Sequence, residues 1–81
     1  MIFKKTKVDI PEIEKKLRKL GRYSGCEEIS YKIYYIDTEP SRLKIRTVTH
    51  QKEVFQHEIY ISALMRMSDF NLRKFAENYL S

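Results

Sequence analysis

Between residues 29 and 62 the apolar side chains recur at every second position, in three successive runs. Because the side chains of a strand point alternately to opposite faces, this alternation predicts three strands with one apolar face each. The residues expected on that face are Ile29, Tyr31, Ile33 and Tyr35, then Leu43, Ile45 and Thr47, then Phe55, His57, Ile59 and Ile61. The breaks at residues 37–41 and 50–53 have hairpin length, so the strands should form an antiparallel meander.

A helix is predicted directly before the strands. Asp9 suits the N-cap position, Glu12 completes a capping-box pattern three residues later, and Gly21 is the expected stop. The apolar residues that share one face of this helix are Ile10, Ile13, Leu17 and Leu20. Residues 1–8 mix β-branched and charged side chains, which favours a further strand at an edge of the sheet.

A second helix is predicted at the C-terminal side of the strands. Ser68 is the expected N-cap, with Met67 before it and Leu72 after it placed to form a hydrophobic staple. The apolar stripe of this helix comprises Leu72, Phe75, Ala76, Tyr79 and Leu80. Phe70 falls outside the stripe, and residues 63–67 suit either a strand end or a first helical turn.

The predicted order is therefore β-α-β-β-β-α, an α+β fold. Its antiparallel meander sheet would have three to four strands, with two helices packed on one face. A chain of 81 residues predicts one small domain spanning residues 1–81.

The charge balance favours anionic partners. Sixteen Lys and Arg against eleven Asp and Glu give a net charge of +5. One cysteine, Cys26, excludes an internal disulfide and a multi-cysteine metal site, and suits a reducing, cytoplasmic location. No apolar run approaches the ~20 residues of a membrane span, so no membrane association is expected.

The sequence offers little for catalysis or cofactor binding. A chain with two glycines, Gly21 and Gly25, has no phosphate-cradling loop. Three residues that ligate metals elsewhere, His50, His57 and Cys26, are far apart in the sequence. We therefore predict no catalytic residue, no cofactor and no metal.

The polar faces of the three predicted strands carry the stronger functional signal. Cations that follow phosphates and aromatic rings on which bases stack are the two requirements for binding a single nucleic-acid strand. The candidate nucleic-acid-binding residues are Lys32, Tyr34, Arg42, Lys44, Arg46 and Tyr60. The alternative interpretation is a solvated sheet face, stabilised by cross-strand pairs such as Arg46 with Glu58.

Two segments resemble known families. Leu43-Lys44-Ile45-Arg46-Thr47, a strand ending at Ser62 and a final helix together resemble the single-strand-binding core of transcription coactivators of the positive cofactor four type. That resemblance covers about half of the chain, which lacks the family's glycine before the last strand. Residues 31–35 and 49–55 resemble the central strands of RelE-type ribosome-dependent ribonuclease toxins, although this chain continues into a long strand and a helix.

The sequence thus predicts a small, non-enzymatic protein of a bacterium, phage or plasmid that binds single-stranded DNA or RNA. One alternative is an inhibitor or regulator that binds another protein through the same strands and Phe70. Another, implied by the RelE resemblance, is a ribonuclease in which Arg46 stabilises phosphate charge and His50 or Tyr60 transfers a proton. DNA versus RNA and homodimer formation stay open.

Overall fold

Three helices and three strands make up the part of the chain that the computed structural model describes, residues 8–37 and 39–81. In chain order they are α1 (Ile10–Ser24), β1 (Glu28–Ile36), β2 (Glu39–Val48), β3 (Val54–Tyr60), α2 (Ile61–Arg66) and α3 (Asp69–Tyr79). The strand expected in residues 1–8 lies, apart from Val8, outside the described residues.

The strands form an antiparallel sheet in the order β1-β2-β3, which confirms the α+β class and the meander. Buried and more exposed side chains alternate along the central strand, β2, as the sequence pattern predicts. Leu43, Ile45 and Thr47 are fully buried, whereas Arg42 and Arg46 between and beside them are exposed. The flanking strands place the alternating residues of their inner faces, such as Ile33 and Ile59, at intermediate burial against the same core.

The first hairpin is tighter than the sequence suggested. Residues 39–41, expected in the turn, belong to β2, and the pairing shifts register between Tyr34 and Tyr35. Pro40 is tolerated in this strand because β2 pairs with β3 only from Arg42 onwards. On that side Pro40 therefore has no neighbouring strand to which a missing N–H would have donated.

The second hairpin closes without glycine or asparagine. The Lys52 N–H donates to the Thr49 carbonyl at 2.9 Å, and the Thr49 N–H donates to the Glu53 carbonyl at 2.8 Å. This spacing leaves a three-residue loop, whose last position usually adopts the left-handed conformation. Lys52 occupies that position with φ of 68°.

The first helix begins where expected and ends later. The Asp9 side chain accepts from the Glu12 N–H at 3.1 Å, which confirms the cap. The expected stop at Gly21 is wrong, since the helix continues to Ser24 and ends at Gly25, whose φ is 68°. Gly21 instead lies against β1, where an added Cβ would come within 3.3 Å of the Ile29 side chain. The glycine therefore allows close packing there.

The segment after β3 is helical at once. Residues 61 and 62, expected at the end of the third strand, form the first turn of α2. The next helix starts as the sequence indicated, with the Ser68 side chain accepting from the Asn71 N–H at 3.3 Å. Met67 is partly buried and packs against the core, of which Leu72 is a buried member.

One hydrophobic core joins the helices to β2. Its buried members are Ile13, Leu17, Leu20, Leu43, Ile45, Leu64, Leu72, Phe75, Ala76 and Leu80. The buried polar residue Thr47 is satisfied, because its hydroxyl donates to the Leu80 carbonyl at 2.9 Å. Among the described helices, none is long and apolar enough to cross a membrane.

Candidate nucleic-acid interface

The strand register brings all six candidate residues onto the sheet face opposite the buried Leu43 and Ile45. We call this surface the outer face. It consists of three cross-strand rows: Tyr34, Arg42 and Tyr60; Lys32, Lys44 and Glu58; Ser30, Arg46 and Gln56. The rows are adjacent, because their β2 members are separated by two residues each, or ~6.6 Å between Cα atoms.

Most of the outer face is accessible to a ligand. Lys32, Arg42 and Arg46 are exposed, and 58% of Tyr60 is exposed. Lys44 is half-buried, as expected for the middle of the central strand with neighbours on both sides. Its ammonium group lies at the end of a flexible stem, which can cover apolar surface while the charge stays in water.

The positive charge of the outer face is only partly neutralised. Arg42 Nη1 lies 3.6 Å from Glu58 Oε2, so the expected pairing of Glu58 with Arg46 is wrong. Arg46 instead lies opposite Ser30 and Gln56. Across residues 8–37 and 39–81, no carboxylate approaches Lys32, Lys44 or Arg46 within 4.0 Å.

The two tyrosines of the outer face lie on either side of Arg42. Because the three strands are adjacent, the Cα atoms of Tyr34 and Tyr60 are about 10 Å apart. Tyr34 is half-buried, and the Lys32 ammonium lies 5.5 Å from the centre of its ring. Tyr60 is therefore the more accessible of the two rings for stacking.

The residues named for a ribonuclease are spread along the sheet. Tyr60 is two cross-strand rows, ~13 Å along the strands, from Arg46, and His50 is in the loop after β2.

The other histidine, His57, lies on the inner side of the sheet. Its ring stacks on Tyr79 at 4.3 Å and meets the edge of Phe75 at 5.2 Å, so its contacts are those of a packing residue.

No metal centre is evident in the described ranges. They contain no group of three or more His, Cys, Asp or Glu that could hold a metal ion.

A groove of about 380 Å³ opens beside Tyr60, lined also by Val8, Asp9, Pro40, Ser41, Ile61, Ser62 and Met65. Its ionisable groups are the Asp9 carboxyl and the Tyr60 hydroxyl, and its other lining residues are apolar or bear hydroxyl groups.

Comparison with known proteins adds no further information about this surface. No protein-family model, curated protein or solved structure matches the chain.

Proposed function

We propose that this protein binds single-stranded nucleic acid through the outer face of its sheet. The observation that carries the proposal is the register, which gathers four cations and two tyrosines into three adjacent rows on one accessible surface. The cations can bind the phosphates of a single strand, and the tyrosine rings can stack on its unpaired bases.

Three of the four cations suit a phosphate backbone because they lie in a line along β2. Arg42, Lys44 and Arg46 alternate along β2, ~6.6 Å apart between Cα atoms, and Lys32 lies directly opposite Lys44. An extended single strand running along β2 presents its phosphates at a comparable spacing.

The arrangement of charges favours a ligand over a purely structural role. Like charges directly opposite each other on neighbouring strands destabilise a sheet, and Lys32 and Lys44 form such a pair. An anion bound between the two ammonium groups would attract both of them and so offset their mutual repulsion. Glu58, opposite Lys44 on β3, offsets part of this repulsion, whereas Lys32 has no acid within 4.0 Å among the described residues.

Salt dependence of binding tests the cations. We expect log K for a fluorescently labelled single strand to fall with log salt at a slope of roughly −3 for four phosphate contacts, about −0.7 for each. Arg46→Ala should flatten that slope by about 0.7. Arg22→Ala removes the same charge from an exposed position on α1 and is the control, with the slope unchanged above about 0.1 M salt, where charges this far from the outer face are screened.

The same titration tests the rings. Tyr60→Ala should weaken binding by ~1–3 kcal/mol with the salt slope retained, because a stacked ring displaces no counterions. Tyr35→Ala removes a ring that is 59% exposed at the hairpin end and serves as the control. If Tyr60→Ala and Tyr34→Ala both bind like wild type, the outer face is only a charged surface.

That result would favour the second candidate, a protein-binding regulator. The observation supporting it is Phe70, which is 67% exposed on α3 with the Lys74 ammonium 5.6 Å from its ring centre. Aromatic residues are enriched at protein interfaces. Loss of a protein partner in Phe70→Ala, with oligonucleotide binding absent in wild type, would establish that role.

A further inference from the structure

Glu58 is an acid on β3 at the edge of the outer face, directly opposite Lys44 and two residues before the exposed Tyr60. We propose that Glu58 accepts hydrogen bonds from the amino group of a base stacked on Tyr60, so that the site prefers cytosine over thymine or uracil. This inference rests on the proposed single-strand binding and specifies which strands the site takes.

A phosphate cannot be the ligand of Glu58. An ionised carboxylate accepts hydrogen bonds and donates none, and it repels a phosphate of the same charge. On a surface that binds a single strand, its ligand must therefore be a donor. The donors that an unpaired base offers are its amino and ring N–H groups.

The Glu58 carboxylate retains the capacity to accept. The Arg42 Nη1 to Glu58 Oε2 separation of 3.6 Å exceeds hydrogen-bond length, so the two groups attract each other without a hydrogen bond. The side chain of Glu58 is 46% exposed, which leaves its oxygens accessible from solvent. Arg42 attracts this carboxylate, and Tyr60 lies directly opposite Arg42 in the sheet.

The spacing along β3 suits contact with the edge of a base. Glu58 and Tyr60 are two residues apart on the same face, about 6.6 Å between Cα atoms. A base stacked on the Tyr60 ring extends over that distance, and both side chains point away from the sheet. The carboxylate then contacts the edge of the base, and the flat surface of the base stacks on the Tyr60 ring.

The chemistry of the bases gives the preference its direction. Cytosine carries an amino donor, N4, where thymine and uracil carry the acceptor O4. A carboxylate attracts the first and repels the second. A well-formed contact of this kind is equivalent to roughly a tenfold preference for cytosine.

The test compares oligodeoxycytidine with oligodeoxythymidine of equal length, at mildly alkaline pH where cytosine is unprotonated. We expect wild type to bind the cytidine strand about tenfold more tightly. Glu58→Gln should bring the two affinities close together, since a carboxamide both donates and accepts. Glu28→Gln is the matched control, an exposed acid at the far end of β1 that should keep the wild-type ratio.

Each result decides a different claim. Equal wild-type affinities for the two strands, or a ratio kept in Glu58→Gln, overturn the role of Glu58 and leave the proposed single-strand binding standing. Failure of wild type to bind either strand overturns the proposed function and this inference with it. Circular dichroism of Glu58→Gln and Glu28→Gln checks that each variant keeps the fold of the wild type.

Discussion

Thr47 carries a hydrogen bond that the sequence pattern could not anticipate. Its position predicts an inward-facing side chain, which the structure confirms, since the residue is fully buried. A buried hydroxyl needs a partner, and here the partner is the carbonyl of Leu80, 33 residues away and itself fully buried. The bond ties the end of α3 to the centre of the sheet.

We expect Thr47→Val to destabilise the protein by about 1–3 kcal/mol, because a valine of the same shape leaves the Leu80 carbonyl buried without its donor. Urea denaturation measures the loss. Thr47→Ser keeps the hydroxyl and removes one methyl, so its loss should be smaller. A valine variant as stable as wild type would mean that the hydrogen bond contributes nothing.

The two glycines show where residue-level prediction stops. Both Gly21 and Gly25 suit a helix end by composition, and the sequence places the stop at the first. The structure needs the left-handed backbone at Gly25 and uses Gly21 for its lack of a side chain beside Ile29. Which glycine ends the helix and which packs against β1 depends on where β1 lies in the tertiary structure, and a single sequence does not give that position.

Contacts between elements explain how α1 is held against the segment that starts α3. Lys16 donates to the Met67 carbonyl at 3.0 Å, and Lys19 donates to the Asp69 carboxylate at 2.7 Å. The hydrogen bond with Lys19 and its charge lower the pKa of Asp69, and the same hydrogen bond raises the pKa of Lys19. Asp69 also lies in the first turn of α3, where an acid is favourable.

We expect the contribution of Asp69 to stability to depend on pH. Because its pKa is lowered by folding, that contribution is present above the unfolded-state pKa and is lost as the pH falls through the folded-state value. Asp69→Asn should therefore lower the melting temperature slightly near neutral pH, by an amount that vanishes in acid. The effect is small because the pair is exposed to solvent.

The control for this measurement is Glu77→Gln, an exposed acid later in the same helix. Its melting temperature should follow that of wild type across the pH range. A difference between Asp69→Asn and wild type that persists in strong acid would show that the charge is not its cause. At high pH the contribution of Lys19 should disappear as the pH rises through its raised pKa.

Elements with clear periodicity and capping residues were predictable, and α2 was not. Alternation located the three strands, and Asp9 and Ser68 located the starts of α1 and α3. The start of α2 has no side-chain cap, and its residues follow an alternating run without a polar break. Packing of Leu64 into the core decides its conformation, and that contact is invisible in a single sequence.

The whole molecule has cations on two opposite surfaces. Besides the outer face, α1 exposes Lys15, Arg18 and Arg22 on the side away from the core. The helix that carries these charges is about 10–12 Å in diameter with its side chains, and its body lies between them and the sheet. Electrostatic screening lengths are ~30 Å at 0.01 M salt and ~10 Å at 0.1 M.

The helix cations should therefore act only at low salt. We expect the combined variant Lys15→Gln, Arg18→Gln and Arg22→Gln to bind a single strand several-fold more weakly than wild type at about 0.01 M salt, chiefly through slower association. At about 0.1 M the two should bind alike. Arg46→Ala should weaken binding under both conditions, and equal weakening by the triple variant at high salt would place the ligand on the helices.

The sequence predicts which residues lie on the outer face but not which of their side chains contact each other. Period-two alternation is enough to assign Lys32, Lys44 and Arg46 to one side of a sheet. Which cation meets Glu58 depends on side-chain direction across the strands, and the structure selects Arg42 rather than Arg46. The preference proposed for cytosine depends on that selection.

Tyr60 is at once the last residue of β3 and the residue that precedes the first turn of α2. No loop separates the two elements, so the backbone that carries this ring is fixed on both sides before any ligand arrives. A ligand that stacks there loses translational freedom but imposes little ordering on the protein. Inserting a flexible glycine pair between Tyr60 and Ile61 would restore that entropic cost while leaving every side chain of the outer face in the sequence.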